Sequence, residues 1–288
     1  MKWMKRLMLA VVFLAVLAGV LAAVGWKMLH GRPSWYARAA VSPQERAAAA
    51  ERAERQLQRL LSEAQTAQHQ QKLAAAATAP VTQPAGALQL VLTEDEINAF
   101  FDKWDHSYGW SRRYRNYLSD PQIILHDGHI ILAADVKQMD LLVSVHFEPL
   151  LENGKLRLRV VNVLGGQLPM PQAVWGQYQE RLERVVRETL PQLQKRAAIG
   201  PDGANTDAVS AAMGELLAHV LADEPAEPVI FLPYSVKHGD RYLPVRLTGI
   251  SIEDKTLTLT GEPVPPSQRA ALLDQIKAPL STGTASTQ

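Results

Sequence analysis

His126 and His129 are the residues whose types and spacing come nearest to a reactive pair. They flank Asp127-Gly128, a dipeptide suited to a two-residue hairpin turn whose central residues both take positive φ. A hairpin there sets the imidazoles opposite each other, about 5 Å apart at Cβ, close enough to share a metal ion. Ile124 and Ile131 lie on the same face, however, and no third ligand stands nearby. The pair therefore reads as a polar hairpin end, and no metal site is expected. Glu148 and Arg159 read as a cross-strand ion pair, and Asp135 and Asp140 as solvated strand-edge groups. The chain has no cysteine, which removes disulfides, thiol catalysis and Cys-zinc sites. It also has no Gly-rich phosphate loop, no GxSxG elbow and no HExxH helix. Nothing assembles a nucleophile with a base and an orienting group. The expected protein is not an enzyme and carries no cofactor.

The elements that position these residues form an antiparallel meander. Asp127-Gly128 is one hairpin turn and Asn153-Gly154 another. The first pairs His126 with His129, Leu125 with Ile130 and Ile123 with Leu132. One face then collects Ile123, Leu125, Ile130, Leu132, Ala134 and Val136. The second turn pairs Leu151 with Leu156, Phe147 with Val160 and Glu148 with Arg159. Apolar residues meet apolar ones in both hairpins, and a one-residue slip would mix the faces. The spacing predicts four strands, stopped by the Gly165-Gly166-Gln167-Leu168-Pro169-Met170-Pro171 exit.

Before the meander stands a different kind of sequence. Leu7 to Trp26 is twenty residues without a charge, about the length that crosses a bilayer as a helix. Trp3 and Trp26 sit near its ends, where interfacial aromatics are favoured. A cleaved signal peptide would have a shorter apolar region and a nearer small-x-small site than Ala37-Arg38-Ala39. The expectation is an uncleaved single-pass anchor in the cytoplasmic membrane, at residues 1–29. Lys2, Lys5 and Arg6 precede it, which favours the amino terminus inside and the domain outside. These and Lys27 leave 26 basic and 29 acidic residues for the remainder. That balance argues against nucleic acid as a partner.

Ser42-Pro43-Gln44-Glu45 carries a capping box and a first-turn proline. A helix is expected to about Ala75. Ala50, Ala53, Leu57, Leu60, Ala64 and Ala67 form a seam at alternating spacings of three and four. The expectation for 30–86 is a solvated stalk or a helix docked on its own domain, followed by a flexible Ala/Thr/Pro linker. A weak dimer through this seam is the alternative. Thr93-Glu94-Asp95-Glu96 opens a short helix after a strand at Leu88–Leu92. Lys103 to Tyr117 interleaves Trp, Tyr and Arg and reads as a helix and loop covering one end of the sheet. A membrane-headgroup or nucleic-acid surface is the other reading of that composition. Downstream, an amphipathic helix spans about Pro171 to Arg196, interrupted by Pro191, and a second runs from Thr206 or Asp207 to Leu221. A closing β region covers Val229 to Thr260, with a turn at Asp254-Lys255 and a bulge at Gly249. The domain is expected to span 87–265, with a loose tail at 266–288.

LTEDEINAFF, PQIILHDGHIILAADV, VSVHFEPLLENGKLRL and VNVLGGQLPMP, in that order, resemble the YpmS-like family of bacterial proteins with one N-terminal membrane anchor. The same order is similar to envelope lipid-binding proteins of the tubular, TULIP-like kind, in which a long helix lies in a strongly curved sheet. The resemblance covers about residues 88–195. It implies binding of an acyl chain or similar apolar ligand close to the membrane. The fold class expected is α+β, with an N-terminal transmembrane helix and a helical stalk. A curved antiparallel meander packed with one or two long helices follows. If the helix after Pro171 lies in that sheet, Val174, Leu182 and Val186 face Phe147, Leu158 and Val160 across a groove for membrane lipid. The rival reading is an envelope scaffold that acts through protein partners, in which the helix fills the sheet.

Overall fold

The computed structural model describes residues 25–36, 42–76, 87–108, 115–200, 203–233 and 242–277. The chain is α+β, with two antiparallel sheets and several helices. Most of the uncharged Leu7–Trp26 run lies outside the described residues. Among the described residues no helix is long and apolar enough to cross a membrane.

One sheet holds the predicted meander. Its strands are β2 (Leu118–His126), β3 (His129–Val136), β4 (Leu141–Glu152) and β5 (Lys155–Gly165), with a two-residue β6 (Leu168–Pro169) at the edge. The registers are those read from the turn dipeptides: His126 pairs with His129, Ile123 with Leu132, Leu151 with Leu156 and Glu148 with Arg159. Asp127, Gly128, Asn153 and Gly154 all have positive φ, as two-residue primed turns demand. β2 is the other edge strand, and α2 (Glu94–Tyr108) covers it. The Asn98 side chain accepts from Ile123 N–H at 2.9 Å and donates to the Ile123 carbonyl at 2.7 Å, while Glu94 accepts from Leu125 N–H. Two side chains one helical turn apart thus substitute for a neighbouring strand and blunt the edge.

The second sheet runs β1 (Leu88–Thr93), β11 (Thr256–Pro263), β10 (Tyr242–Glu253), then the short β8 (Gly203–Ala204) and β7 (Ile199–Gly200). β9 (Val229–Pro233) also pairs with β10. Asp254 and Lys255 make the β10–β11 turn, and the register shifts at Gly249 as expected. A Cβ on Gly249 would stand 2.3 Å from Thr260 Oγ1. β10 lies against β2 and β4, and a single bridge from Leu156 to Ala226 also joins the two sheet regions.

The alanine-rich helix α1 (Pro43–Ala76) is the docked helix of the two expected forms, not a solvated stalk. Ser42 and Glu45 form the capping box that starts it. Ala53 and Ala64 are fully buried, and Leu60, Leu61 and Ala64 pack with Leu88, Leu90, Leu243 and Val245 on the second sheet. Ala49 and Ala50 meet Ala99 of α2, where small side chains let two helices cross closely. The alternating seam faces this chain's own second sheet and α2. Residues 32–36 are docked as well. Tyr36 is buried with Ile124, Ile131, Ala133 and Leu142, and its hydroxyl donates to the Asp120 carbonyl. Residues 30–36 and α1 therefore belong to the folded body.

The third layer is helical. α3 (Gln172–Arg196) runs through Pro191, α4 (Thr206–Ala222) is capped by Asn205, and α5 (Arg269–Lys277) follows a short 3-10 turn. Val186 and Leu190 of α3 pack with Ala208 and Ala211 of α4 and with Leu272 and Ile276 of α5. The expected loose tail is thus folded from 266 to 277. Its apolar stripe of Leu272, Leu273 and Ile276 completes the helical core. Residues 278–288 lie outside the described ones.

Candidate functional site

The face of the meander holding Ile123, Leu132, Ala134 and Val136 is more apolar than its reverse, yet it is the more open of the two. On the reverse, Ile124, Ile131 and Ala133 are buried under Tyr36. On the apolar face, Leu132 remains 44% exposed. An open cleft of about 410 Å³ lies there. Its walls are Leu118, Ile123, Leu132, Val136, Val143 and Val145, with Phe101 of α2 on one side and Asn98, Asp102 and Gln122 supplying the few polar groups. The period of two that builds each strand also aims these side chains to one side. A concave apolar surface with sparse polar groups holds a ligand by area burial, at about 25 cal/mol per Å².

The groove anticipated between helix and sheet is arranged differently. α3 packs on α4 and α5 instead of lying in the meander. Val186 is in that helical core, and Val174 is 39% exposed. Phe147 and Leu158 are half-buried and line neither this region nor the apolar cleft. Val160 does line a cleft of about 360 Å³, but Trp175, Gln179, Leu221 and Asp223 face it there. The Leu182 side chain lies outside the described residues. Of the apolar residues expected on one helix face, Val186 and Leu193 turn to the helical core, while Val174, Tyr178 and Val185 are exposed.

A third, polar cleft of about 310 Å³ lies where α1, α2 and the β10–β11 turn converge. Its charged groups engage one another: Arg46 with Asp102 at 3.5 Å, and Lys255 with Glu94 at 4.0 Å. Of the histidines, His129 and His146 share the covered face of the meander. His146 stacks edge-on against Trp35 and lies 3.2 Å from Ser144 Oγ. Burial, and then the neighbouring His129 and His126, hold the His146 imidazole below its ordinary pKa. Among the described residues no three His, Asp or Glu side chains group as a metal site would.

One titratable cluster escaped the sequence reading. Glu215 of α4 has a side chain only 18% exposed and lies 3.8 Å from His219. Its carboxyl is pushed up to about 7, by burial first and by Glu227 second, with Lys155 opposing. Lys155 pairs with Glu227, and Arg157 makes a two-bond ion pair with Asp223. The cluster surrounds the Leu156–Ala226 bridge. Nothing local marks it, because Lys155 and Glu227 are far apart in the chain.

Comparison with known protein families, with curated proteins and with solved structures finds no match. Fold and site together define a two-sheet α+β protein with an open apolar cleft on one sheet.

Proposed function

We propose that this chain is a membrane-anchored, non-catalytic binding protein that holds a lipid acyl chain, or an apolar ligand of similar shape, in the meander cleft. The observation that carries the reading is the half-open apolar face lined by Ile123, Leu132, Val143 and Val145. A folded protein gains by covering such a face, and this chain buries Leu125 but leaves the part around Leu132 open. The volume falls within the roughly 300–1,000 Å³ of small-molecule clefts. The uncharged Leu7–Trp26 run supplies the anchor, with the domain outside, as the YpmS-like and tubular lipid-binding resemblance also implies. The acyl chain needs no specific polar partner.

Mass spectrometry of lipid extracted from the purified full chain tests the reading. A co-purifying lipid is expected for the natural sequence, and it is lost in Ala134→Trp and Val145→Trp with only a small drop in melting temperature. Overpacking a filled core would instead cost about 1–3 kcal/mol. Val186→Trp, in the helical core, is the control for that cost. Absence of bound lipid together with strong destabilisation of both cleft variants would overturn the reading in favour of a closed scaffold.

A further inference from the structure

The segment following the uncharged run does not leave the folded body; it is bolted to one end of the meander. Residues 25–30 are helical, and Gln167 N–H donates to the Met28 carbonyl at 3.0 Å. The Gln167 side-chain amide donates to the Arg32 carbonyl at 3.1 Å. Gly166 has φ +61°, and a Cβ there would sit 1.9 Å from the Leu29 carbonyl oxygen, so only glycine admits this approach. Gly166 N–H donates in turn to the Leu142 carbonyl, which ties the segment to β4. Arg32 pairs with Asp135, and its guanidinium lies over the Tyr36 ring.

The same end of the meander carries the β3–β4 turn and an exposed set of amphipathic side chains. Trp26 is 66% exposed and Tyr178 47%, with Met139, Met28 and Tyr117 also exposed. Tyr178, Met139 and Tyr117 gather at the β3–β4 turn. Tyr178 Oη lies 4.0 Å from Met139 sulfur, and Lys137 N–H donates to the Tyr117 carbonyl. Within 25–32, 115–117 and 135–140 the charged residues are Lys27, Arg32, Arg115 and Lys137 against Asp140 and Asp135, the latter paired with Arg32. Aromatics and methionine beside an excess of cations are the composition that settles at a bilayer surface with anionic headgroups.

We infer that this end of the meander, around Met139 and Tyr178, rests on the bilayer surface, so that the apolar cleft opens at the membrane. This rests on the anchor reading above, since the uncharged run reaches the folded body at Trp26. No stalk separates domain from membrane. Val136, Val143 and Leu118 of the cleft wall lie at this end by register, Val136 opposite both Leu118 and Leu141. An acyl chain enters from the bilayer without crossing water.

The absence of cysteine allows single-cysteine labelling of the full chain. Met139→Cys, Tyr178→Cys and Glu152→Cys, each carrying an NBD fluorophore, are reconstituted into phosphatidylcholine–phosphatidylglycerol vesicles with or without a headgroup-proximal spin-labelled lipid. Glu152 stands at the opposite end of β4 from Val143, about 30 Å away along the strand. The labels at 139 and 178 are expected to shift to the blue and lose emission to the spin label, and the label at 152 to do neither. Lys137→Cys reads the same turn if either near-end variant fails to fold. Labels at 139 and 178 as unquenched as the one at 152, in chains that float with the vesicles, would overturn the inference alone. A chain that does not float with the vesicles would overturn the anchor reading and this inference with it.

Discussion

Glu215 shows how a residue's chemistry is made by what surrounds it. On sequence it is one acid among 29, on a helix whose pattern singles out none of its charged residues. In the fold it sits beside His219 and near the Lys155–Glu227 pair, and His219 Nδ1 is buried without a hydrogen-bond partner among the described residues although Glu224 is 3.4 Å away. The Glu215 carboxyl is raised to about 7, so the folded chain holds a proton that the unfolded chain releases near the ordinary carboxylate range. Its contribution to stability is therefore complete below that ordinary range and is lost as pH rises through about 7. Glu215→Gln, which stays neutral, should gain on the natural sequence by about 1–2 kcal/mol at pH 8, the shift being discounted for partial solvent access. Near pH 4 the two should match. Chemical denaturation at the two pH values checks this, and a gain that is equal at both would remove Glu215 titration as the cause.

Helix α1 carries the same lesson at the scale of an element. Its start follows from Ser42 and Glu45, a local signal that held in the fold. The alanine seam is equally local, but what it meets is not. Small side chains suit a close approach to another helix or to a sheet, and the fold supplies Ala99 of α2 for one half and Leu88, Leu90 and Val245 for the other. A solvated stalk would tolerate bulk on that face. Ala64 is fully buried, so Ala64→Leu should overpack the contact and cost about 1–3 kcal/mol by denaturant titration. A change within about 0.5 kcal/mol, the usual size for an exposed position, would restore the stalk. The histidine hairpin behaves oppositely. Its register and turn came through unchanged, because period-two alternation and Asp-Gly at a turn act within a few residues.

For the whole molecule, the decisive contact is residues 32–36 against the meander. Tyr36 packs with Ile124, Ile131 and Leu142, and Trp35 packs against the same cluster and edge-on to His146. Tyr36→Ala should cost about 3–5 kcal/mol, as large-to-small changes of buried aromatics do. The variant should also free residues 25–31 to move relative to the sheet. A loss below about 1 kcal/mol in equilibrium unfolding would mean that the meander keeps this face covered without the segment. The consequence for function is one of placement: a chain joined to the body through residues 25–36 holds its cleft close to wherever Trp26 is held.

Sequence by itself determined the pairings next to the hairpin turns, the turns themselves, the Gly249 bulge and the helix starts at Ser42 and Thr93, but not the register shifts at Ser119–Gln122 and His146–Phe147. Each feature it determined depends on alternation, on turn dipeptides or on a side chain reaching its own backbone three residues away, and needs no distant partner. It also marked Ile123, Leu125, Ile130, Leu132, Ala134 and Val136 as one apolar face, of which Ile123, Leu132, Ala134 and Val136 line the cleft while Leu125 is buried. Only the tertiary structure decided which face would be covered and by what. Tyr36 took the reverse side of the meander, α4 and α5 took the apolar stripe of α3, and the second sheet took the alanine seam. An amphipathic pattern states that a surface must be buried, but any surface of matching shape satisfies it. Choosing among them depends on the packing of the whole chain, because apolar attraction has no direction of its own.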